Sequence, residues 1–261
     1  ALTSGFVLEE GLPIPDFERI LVSMRETCRE AGIYIITGDT KVVEKGSLGG
    51  CVINTSGIGK RNDALERNIA EVKRHRSFEA RWILDSNLRE GDKIIVSGTL
   101  GDHGLAVLSA QEGYGFGSRI ASDITPLSKL IMRLLNVGGI VSMKDPTRGG
   151  LSNALNEWSE KSGVGIVIHE REIPIRGDVR AACEMLGIDP LEVGNEGKVI
   201  IGVVPKKAEE VLTVLRETKE GKDAQLIGEV TRRFRAVVLE TAVGGKRILT
   251  PPIGDPVPRI C

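Results

Sequence analysis

The last residue of the chain, Cys261, is the first candidate for chemistry. It ends the segment PPIGDPVPRIC, in which proline fixes φ and removes backbone donors, so residues 251–261 are expected to stay extended outside any sheet. At about 3.1 Å per residue this arm spans roughly 34 Å. A thiol at its tip is a nucleophile that several sites can share; Arg259 favours the thiolate and the terminal carboxylate opposes it. An accidental terminal cysteine is the alternative.

A second candidate is the sequence GDTK at residues 38–41, where a predicted strand ends. Asp39 offers a carboxylate suited to Mg²⁺, and Lys41 offers an ammonium suited to phosphate oxygens or to a developing negative charge. A tight turn with solvated charges explains the same four residues.

The sequence DPTRGG at residues 145–150, here called the DPTRGG loop, directly precedes a predicted helix. Its backbone amides and Arg148 could bind an anion at the positive end of the helix dipole. It lacks the GxxxxGK[ST] spacing of a Walker A loop. Helix capping by Thr147, with Gly149 and Gly150 allowing close packing, is the alternative.

Two further motifs carry titratable side chains. Glu196 lies in NEGK, residues 195–198, at the entrance to a predicted strand, where it could act as a general base. A plain turn is the alternative. His103, in GDHG at residues 101–104, could transfer protons or contact phosphate, or could simply begin a helix. The three histidines are widely separated, so a histidine-rich metal site is not predicted.

The elements that must position these residues follow from the apolar pattern. Residues 60–90 are rich in charge and are predicted to form an exposed helical connection. Before it, the pattern predicts strands at 3–9 and 51–55, a helix between Pro13 and Gly32, and a buried strand at 33–36 that runs into a turn at 37–41.

The remaining residues are predicted to intersperse helices and strands. The strict βαβ repeat is missing from their order, which favours an α+β or mixed α/β fold. The predicted strands are 93–97, 164–169, 198–204, 224–230 and 235–241, and the predicted helices are 103–111, 126–135, one from 151, 177–186 and 206–218.

Length and composition exclude several classes of protein. The 261 residues fit between one and two domains, and 35 Lys and Arg against 36 Asp and Glu leave a net charge of −1. That balance argues against a nucleic-acid binder relying on a strong basic field. The sequence has no apolar run of the roughly 18 to 20 residues that a membrane helix requires and no signal-peptide pattern, so the expected location is the cytoplasm. Cys28, Cys51 and Cys183 lack CxxC spacing and are expected to be structural.

Taken in order, the motifs resemble one family. GFVLEEGLP, ITGDTKVVEKG, GDKIIVSGTLGDHG, DPTRGGL, NEGK and a terminal PRIC are similar to the HypE family of hydrogenase-maturation proteins, the carbamoyl dehydratases of nickel–iron hydrogenase assembly. The resemblance extends over nearly the whole chain. PRIC, GDTKVV and DxTRGG are its most specific parts, whereas GDKIIVSG occurs more widely in the aminoimidazole-ribonucleotide-synthetase-like (PurM-like) superfamily.

The resemblance implies a two-domain PurM-like architecture with an extended C-terminal tail. Residues 1–90 would be the remainder of an N-terminal ATP-binding and dimerisation domain with a charged linker, 91–250 the C-terminal domain, and 251–261 the arm. The implied partners are a second copy in a homodimer, a HypF-type carbamoyltransferase and an iron-carrying HypC–HypD-type scaffold, with neither nucleic acid nor membrane.

The resemblance also implies a reaction. The carbamoyltransferase loads Cys261, ATP with Mg²⁺ phosphorylates the carboxamide oxygen, and loss of phosphate leaves a thiocyanate whose cyanide passes to iron. Glu196 would be the base and Lys41 would stabilise negative charge, while Asp39 would be a Mg²⁺ ligand. The residues implied to bind the nucleotide or shape its cleft are Asp39, Thr40, Asp102, His103, Thr147, Arg148, Gly149 and Gly150.

Two features depart from the family pattern. The family has a further N-terminal segment before GFVLEEG that supplies acidic and ATP-contacting residues, so this chain is expected to hold only part of the N-terminal domain. The stretch 60–90 is also longer than the usual link. Two other functions fit the same residues: a carrier or docking module that binds no ATP, and a small-molecule kinase or amide-activating synthetase of the same superfamily.

Overall fold

The computed structural model describes residues 1–115 and 120–254. The chain divides into two compact units between Asn62 and Asp63. Among the described residues, every helix is too short or too polar to cross a membrane.

The first unit is a three-stranded sheet with one helix. Its elements are β1 (Leu2–Glu9), α1 (Ile14–Ala31), β2 (Ile35–Val43) and β3 (Cys51–Gly57). Strand β1 is central, parallel to β2 and antiparallel to β3. Helix α1 packs on this sheet through an edge-to-face contact between Phe6 and Phe17, whose ring centroids are 5.4 Å apart. It ends as predicted at Gly32, in the left-handed conformation that favours glycine.

The turn predicted at residues 37–41 is wrong, because GDTK lies in the middle of β2. The buried strand predicted at 33–36 is also wrong: β2 begins at Ile35 and is exposed along almost its whole length. Gly38 explains the difference. A Cβ there would overlap the carbonyl oxygen of Ser4 on the neighbouring strand, so this glycine permits a close backbone approach and does not form a turn.

The described residues of the second unit form a seven-stranded sheet with helices on both faces. Its strands are β4 (Lys93–Val96), β5 (Ile140–Lys144), β6 (Gly165–His169), β7 (Ile200–Val203), β8 (Gln225–Thr231), β9 (Val237–Glu240) and β10 (Lys246–Leu249), in the order β10-β9-β6-β8-β4-β7-β5. Neighbours are antiparallel except β6 and β9. Its helices are α2 (Asp63–His75), α3 (Asp102–Glu112), α4 (Ser128–Val137), α5 (Gly150–Ser162), α6 (Gly177–Leu186) and α7 (Ala208–Arg216).

The sheet separates two apolar clusters because successive side chains on a strand face opposite sides. On β4, Ile94 belongs to the cluster that contains Trp158 of α5, whereas Ile95 belongs to the cluster built with α4 and α7. The predicted helices and strands of this unit are confirmed within a few residues, and the sequence analysis missed β5 and β10.

The helix predicted within residues 60–90 is confirmed at Asp63–His75, but its predicted exposure is wrong. Helix α2 buries one face, including Leu65, Ile69 and Val72, in the main core of the second unit. Its buried Asn68 also pairs with β5: the side-chain amide donates to the Ile140 carbonyl and accepts from the Ile140 N–H, both at 2.8 Å. The charged side chains of α2 lie on the other face of this amphipathic helix.

Gly38→Ala should destabilise the first unit by about 1–3 kcal/mol, because the added methyl group meets a backbone carbonyl that cannot rotate away. The measurement is denaturant unfolding combined with amide hydrogen exchange of β1. Gly49→Ala is the matched control, since a Cβ there meets nothing within 4 Å. Equal stability of the two variants would contradict the close approach of β1 and β2.

Candidate functional site

Three of the predicted motifs meet at one end of the second sheet. Strand β7 is antiparallel to both β4 and β5, and Ile200 at its start pairs with Val96 at the end of β4 and with Lys144 at the end of β5. The loop after β4, the DPTRGG loop after β5 and NEGK before β7 therefore lie together. Motifs about fifty residues apart in sequence form one site.

Asn195 ties the three segments together. It is buried, and its Oδ1 accepts from the Gly101 N–H at 2.6 Å. Its own backbone N–H donates to the Pro146 carbonyl at 3.0 Å. The Thr147 hydroxyl donates to the Asn195 carbonyl at 3.2 Å and to Asp145 Oδ2 at 2.6 Å. Sequence reasoning assigned Asn195 no role, although its place in NEGK was a signal.

Two helices begin at this site, and glycines allow their first turns to approach the segment before NEGK. A Cβ at Gly150 would lie 2.5 Å from the Leu191 carbonyl oxygen and 2.6 Å from that of Val193. A Cβ at Gly104 would lie 2.8 Å from the Gly194 carbonyl oxygen. The close packing predicted for the DPTRGG loop is thus present. Thr147 does not cap α5, since the N-cap residue is Gly149, and Arg148 is exposed.

Glu196 is the half-buried carboxyl of this site. Burial, followed by the nearby Asp145 carboxylate, raises its pKa above the ordinary value. A carboxylate that holds its proton more tightly than usual is also a stronger proton acceptor, as a general base must be.

Asp102 and His103 lie at the first turn of α3 and are both buried. Burial raises the pKa of Asp102, with Asp123 adding to the effect and Thr99 and Arg176 opposing it. Burial lowers the pKa of His103, whose Nδ1 is 2.7 Å from the hydroxyl of Ser122. Asp102 Oδ2 and His103 Nε2 have no hydrogen-bond partner among the described residues.

Asp123 links this pair to NEGK, a connection that sequence reasoning missed. Its carboxylate forms an ion pair with the buried Lys198. Its backbone carbonyl is so close to Gly197 that a Cβ there would lie 2.5 Å away. Gly197 also has a φ of +66°, which glycine adopts readily.

A network of ion pairs links α5 to Lys144 of β5 and to Asp85. Lys144 Nζ lies 2.8 Å from Glu157 and 3.1 Å from Asp85, and Lys161 Nζ lies 2.7 Å from Asp85. The Lys144 hydrogen bond, together with Lys161, lowers the pKa of Glu157 despite partial burial. Asn153 then bridges Glu157 and the Arg148 carbonyl, so the network reaches the DPTRGG loop.

The end of the described chain also reaches α5. Residues 249–252, here called the tail root, leave β10 along this helix, and Pro252 lies so close to Gly149 that a Cβ there would be 2.9 Å from Pro252 Cγ. Cys261 and most of the predicted arm lie outside the described residues, so their roles stay predictions. Of the other cysteines, Cys28 and Cys51 are partly buried, and burial raises the pKa of the Cys183 thiol to about 11, which makes it a poor nucleophile.

In the first unit, Asp39 and Lys41 share one face of β2 because they are two residues apart on a strand. Both are exposed, as is Thr40, whose N–H donates to Asp39 Oδ1 at 2.9 Å. Within residues 1–115 and 120–254, no three His, Cys, Asp or Glu side chains are grouped to hold a metal ion. One carboxylate does fit Mg²⁺ that arrives with nucleotide phosphates, because such an ion needs only one or two protein ligands.

Comparison with known families gives the class of protein to which the chain belongs. Residues 1–60 match the model of the AIR synthase related protein N-terminal domain, and residues 89–239 match that of the C-terminal domain. The mixed α/β, PurM-like fold predicted from the sequence is thereby confirmed.

The particular family follows from individual relatives. The whole chain is 46% identical to a hydrogenase expression/formation protein of Methanocaldococcus jannaschii and 44% identical to the carbamoyl dehydratase HypE of Azotobacter vinelandii, covering 72% of each. It superimposes on a crystal structure of HypE in complex with ATP with a TM-score of 0.88 at 40% identity, covering all of this chain and 75% of that one. For HypE in a HypE–HypF complex the TM-score is 0.86 at 43% identity, covering 96% and 77%. The chain belongs to the HypE family.

The raised pKa of Glu196 predicts how charge removal changes stability. A raised pKa means that the folded state binds the proton more tightly, so the carboxyl lowers stability as pH rises above its unfolded pKa. Glu196→Gln should therefore be more stable than the wild type at pH 8, with no such gain at pH 4. The measurement is the unfolding midpoint in denaturant across this range.

Glu157→Gln is the control of opposite sign. Because the pKa of Glu157 is lowered, its carboxylate stabilises the fold at neutral pH, and that contribution disappears as pH falls through the folded-state pKa. This variant should be less stable than the wild type at pH 8 and similar at low pH. A Glu196→Gln profile parallel to that of the wild type would show that Glu196 titrates normally.

Proposed function

We propose that this protein is an ATP-dependent dehydratase that converts an S-carbamoyl group on Cys261 to a thiocyanate, the source of cyanide for the iron of nickel–iron hydrogenase. One observation carries the proposal: the tail root contacts the same helix terminus that packs against the segment leading to Glu196. The name carbamoyl dehydratase, given to several close relatives, supports it.

The reaction needs a base because a carboxamide must lose both nitrogen-bound protons to become a nitrile. In our proposal the Cys261 sulfur holds the carbamoyl carbon, and Glu196 accepts a proton from its nitrogen. Partial burial and Asp145 adapt Glu196 to this task by making its carboxylate a better acceptor.

ATP supplies the phosphoryl group that turns the amide oxygen into a leaving group. The ATP-bound HypE structure supports nucleotide binding here. We assign Asp39 to the accompanying Mg²⁺, Thr40 to the nucleotide and Lys41 to the negative charge on phosphate or substrate. All three are exposed on β2 and accessible to a ligand.

In the second unit we propose that the DPTRGG loop shapes the active-site cleft beside Glu196. Its residues Gly149 and Gly150 hold the N-terminus of α5 close to the Glu196 segment, Thr147 fixes the loop to Asn195, and Arg148 projects an exposed cation. For Asp102 and His103 we propose a role in shaping the cleft, since both are buried.

The proposal also includes partners. A HypF-type carbamoyltransferase would load Cys261, which the similarity to the HypE of a HypE–HypF complex supports. An iron-carrying HypC–HypD-type scaffold would receive the cyanide, and a second copy of the chain would complete a homodimer. The cytoplasm, where these partners would act, is the proposed location.

The Glu196→Gln variant should be carbamoylated normally, but its carbamoyl group should be dehydrated at least about 100-fold more slowly, because the glutamine side chain cannot accept the proton. The protein is incubated with the carbamoyltransferase, carbamoyl phosphate and MgATP, and the mass of the C-terminal peptide is followed. Glu192→Gln, four residues earlier in the same segment, should lose water at the wild-type rate. Cys261→Ser should gain no carbamoyl group.

This assay, together with calorimetry, separates the dehydratase from the carrier module. A wild-type adduct that never loses the mass of one water, together with no MgATP binding by calorimetry, would favour a carrier module over a dehydratase. Normal turnover by Glu196→Gln would exclude Glu196 as the base while leaving the reaction itself in place.

A further inference from the structure

The tail root is fastened to α5 by two hydrogen bonds. The buried Ser152 hydroxyl donates to the Thr250 carbonyl at 2.6 Å, and Asn156 Nδ2 donates to the Leu249 carbonyl at 2.9 Å. Leu249 is itself buried in the main core. The contacts therefore hold the chain just where it leaves the sheet.

The order of these contacts gives the tail root a direction. From Leu249 to Pro252 the contacts move from Asn156 through Ser152 to Gly149, toward the N-terminus of α5. Seven helical residues rise about 10.5 Å, and three extended residues span about 10 Å. The tail root thus runs extended and antiparallel to the helix, directed at the DPTRGG loop.

Ser152 also contacts the segment that carries the proposed base. Its backbone N–H donates to the Leu191 carbonyl at 2.9 Å, five residues before Glu196. The same residue therefore holds the tail root with its hydroxyl and the Glu196 segment with its main chain. A shift of one relative to the other would break one of these bonds.

We propose that Ser152, assisted by Asn156, is a positioning residue for Cys261: it fixes where the tail root leaves β10 and the direction of residues 249–252 relative to the Glu196 segment. This inference rests on the proposed function. Cys261 is nine positions beyond Pro252 and twelve positions beyond Leu249. Loss of these contacts would therefore lengthen the free tether by about a third.

A longer and less directed tether lowers the effective concentration of the group at its end. Because effective concentration falls as about the −3/2 power of tether length or more steeply, Ser152→Ala should slow dehydration of the carbamoylated protein by about 1.5- to threefold in a single turnover. Carbamoylation by the partner enzyme should be unchanged, because that step does not require Cys261 to reach its own Glu196. A general loss of structure would slow both steps.

Ser159→Ala is the matched control. Ser159 lies on the same helix, is also buried, and its hydroxyl also donates to a backbone carbonyl at 2.6 Å, but that carbonyl belongs to Val164 and not to the tail. This variant should dehydrate the adduct at the wild-type rate. A similar loss in both variants would show that helix stability, and not anchoring, is what matters.

Backbone ¹⁵N relaxation of Thr250, Ile253 and Gly254 provides a readout that does not depend on activity; Pro251 and Pro252 carry no N–H. The order parameters of these amides should fall in Ser152→Ala and stay unchanged in Ser159→Ala. Unchanged order parameters or an unchanged rate of dehydration in Ser152→Ala would overturn the inference. If the wild-type adduct never loses water, the proposed function fails, and the order parameters alone then decide whether Ser152 anchors the tail root.

Discussion

Strand β7 is hydrogen-bonded on both sides to strands that run the opposite way, and the arrangement of the second unit depends on this pairing. It brings the ends of β4 and β5 to the start of β7, so that three loops share one small volume. Asn195 then satisfies the backbone groups that these loops leave open. Leaving buried polar groups without hydrogen bonds costs free energy. The hydrogen bonds of Asn195 therefore hold the loops in one arrangement.

The close packing of these loops also affects the pKa values of their carboxyl groups. Asp102, Asp145 and Glu196 lie near the starts of α3 and α5, where helix dipoles favour negative charge. That support does not outweigh the loss of water, since the pKa values of Asp102 and Glu196 remain raised. The buried cation Lys198 is satisfied by Asp123. Asp102 and Glu196 thus hold their protons more tightly than ordinary carboxyl groups do.

What the sequence could predict depended on how local the signal was. Helix α1 could be placed because its apolar period and Gly32 lie in one stretch of chain. GDTK was misjudged because Gly38 is required by Ser4 on another strand, which no local pattern shows. Helix α2 was misjudged because its charges outnumber its apolar residues, although the latter share one face.

For the site, the motifs could be found in advance and their connections could not. Glu196 and the DPTRGG loop each carry a recognisable residue pattern. The roles of Asn195 and Asp123 arise from contacts with segments distant in sequence, and these exist only once the sheet has formed. Of the two four-residue strands at this end of the sheet, β9 was predicted and β10 was not. Strand β10 is the edge strand and buries only Leu249, so its sequence carries little apolar pattern.

The tail root is held through main-chain carbonyls of Leu249 and Thr250, which every amino acid possesses. The fastening on α5 therefore places little demand on the side chain of Thr250, which is exposed. A substitution of Thr250 can therefore leave the position of the tail root on α5 unchanged. A peptide of different sequence joined to Leu249 could therefore be held on α5 by the same two hydrogen bonds.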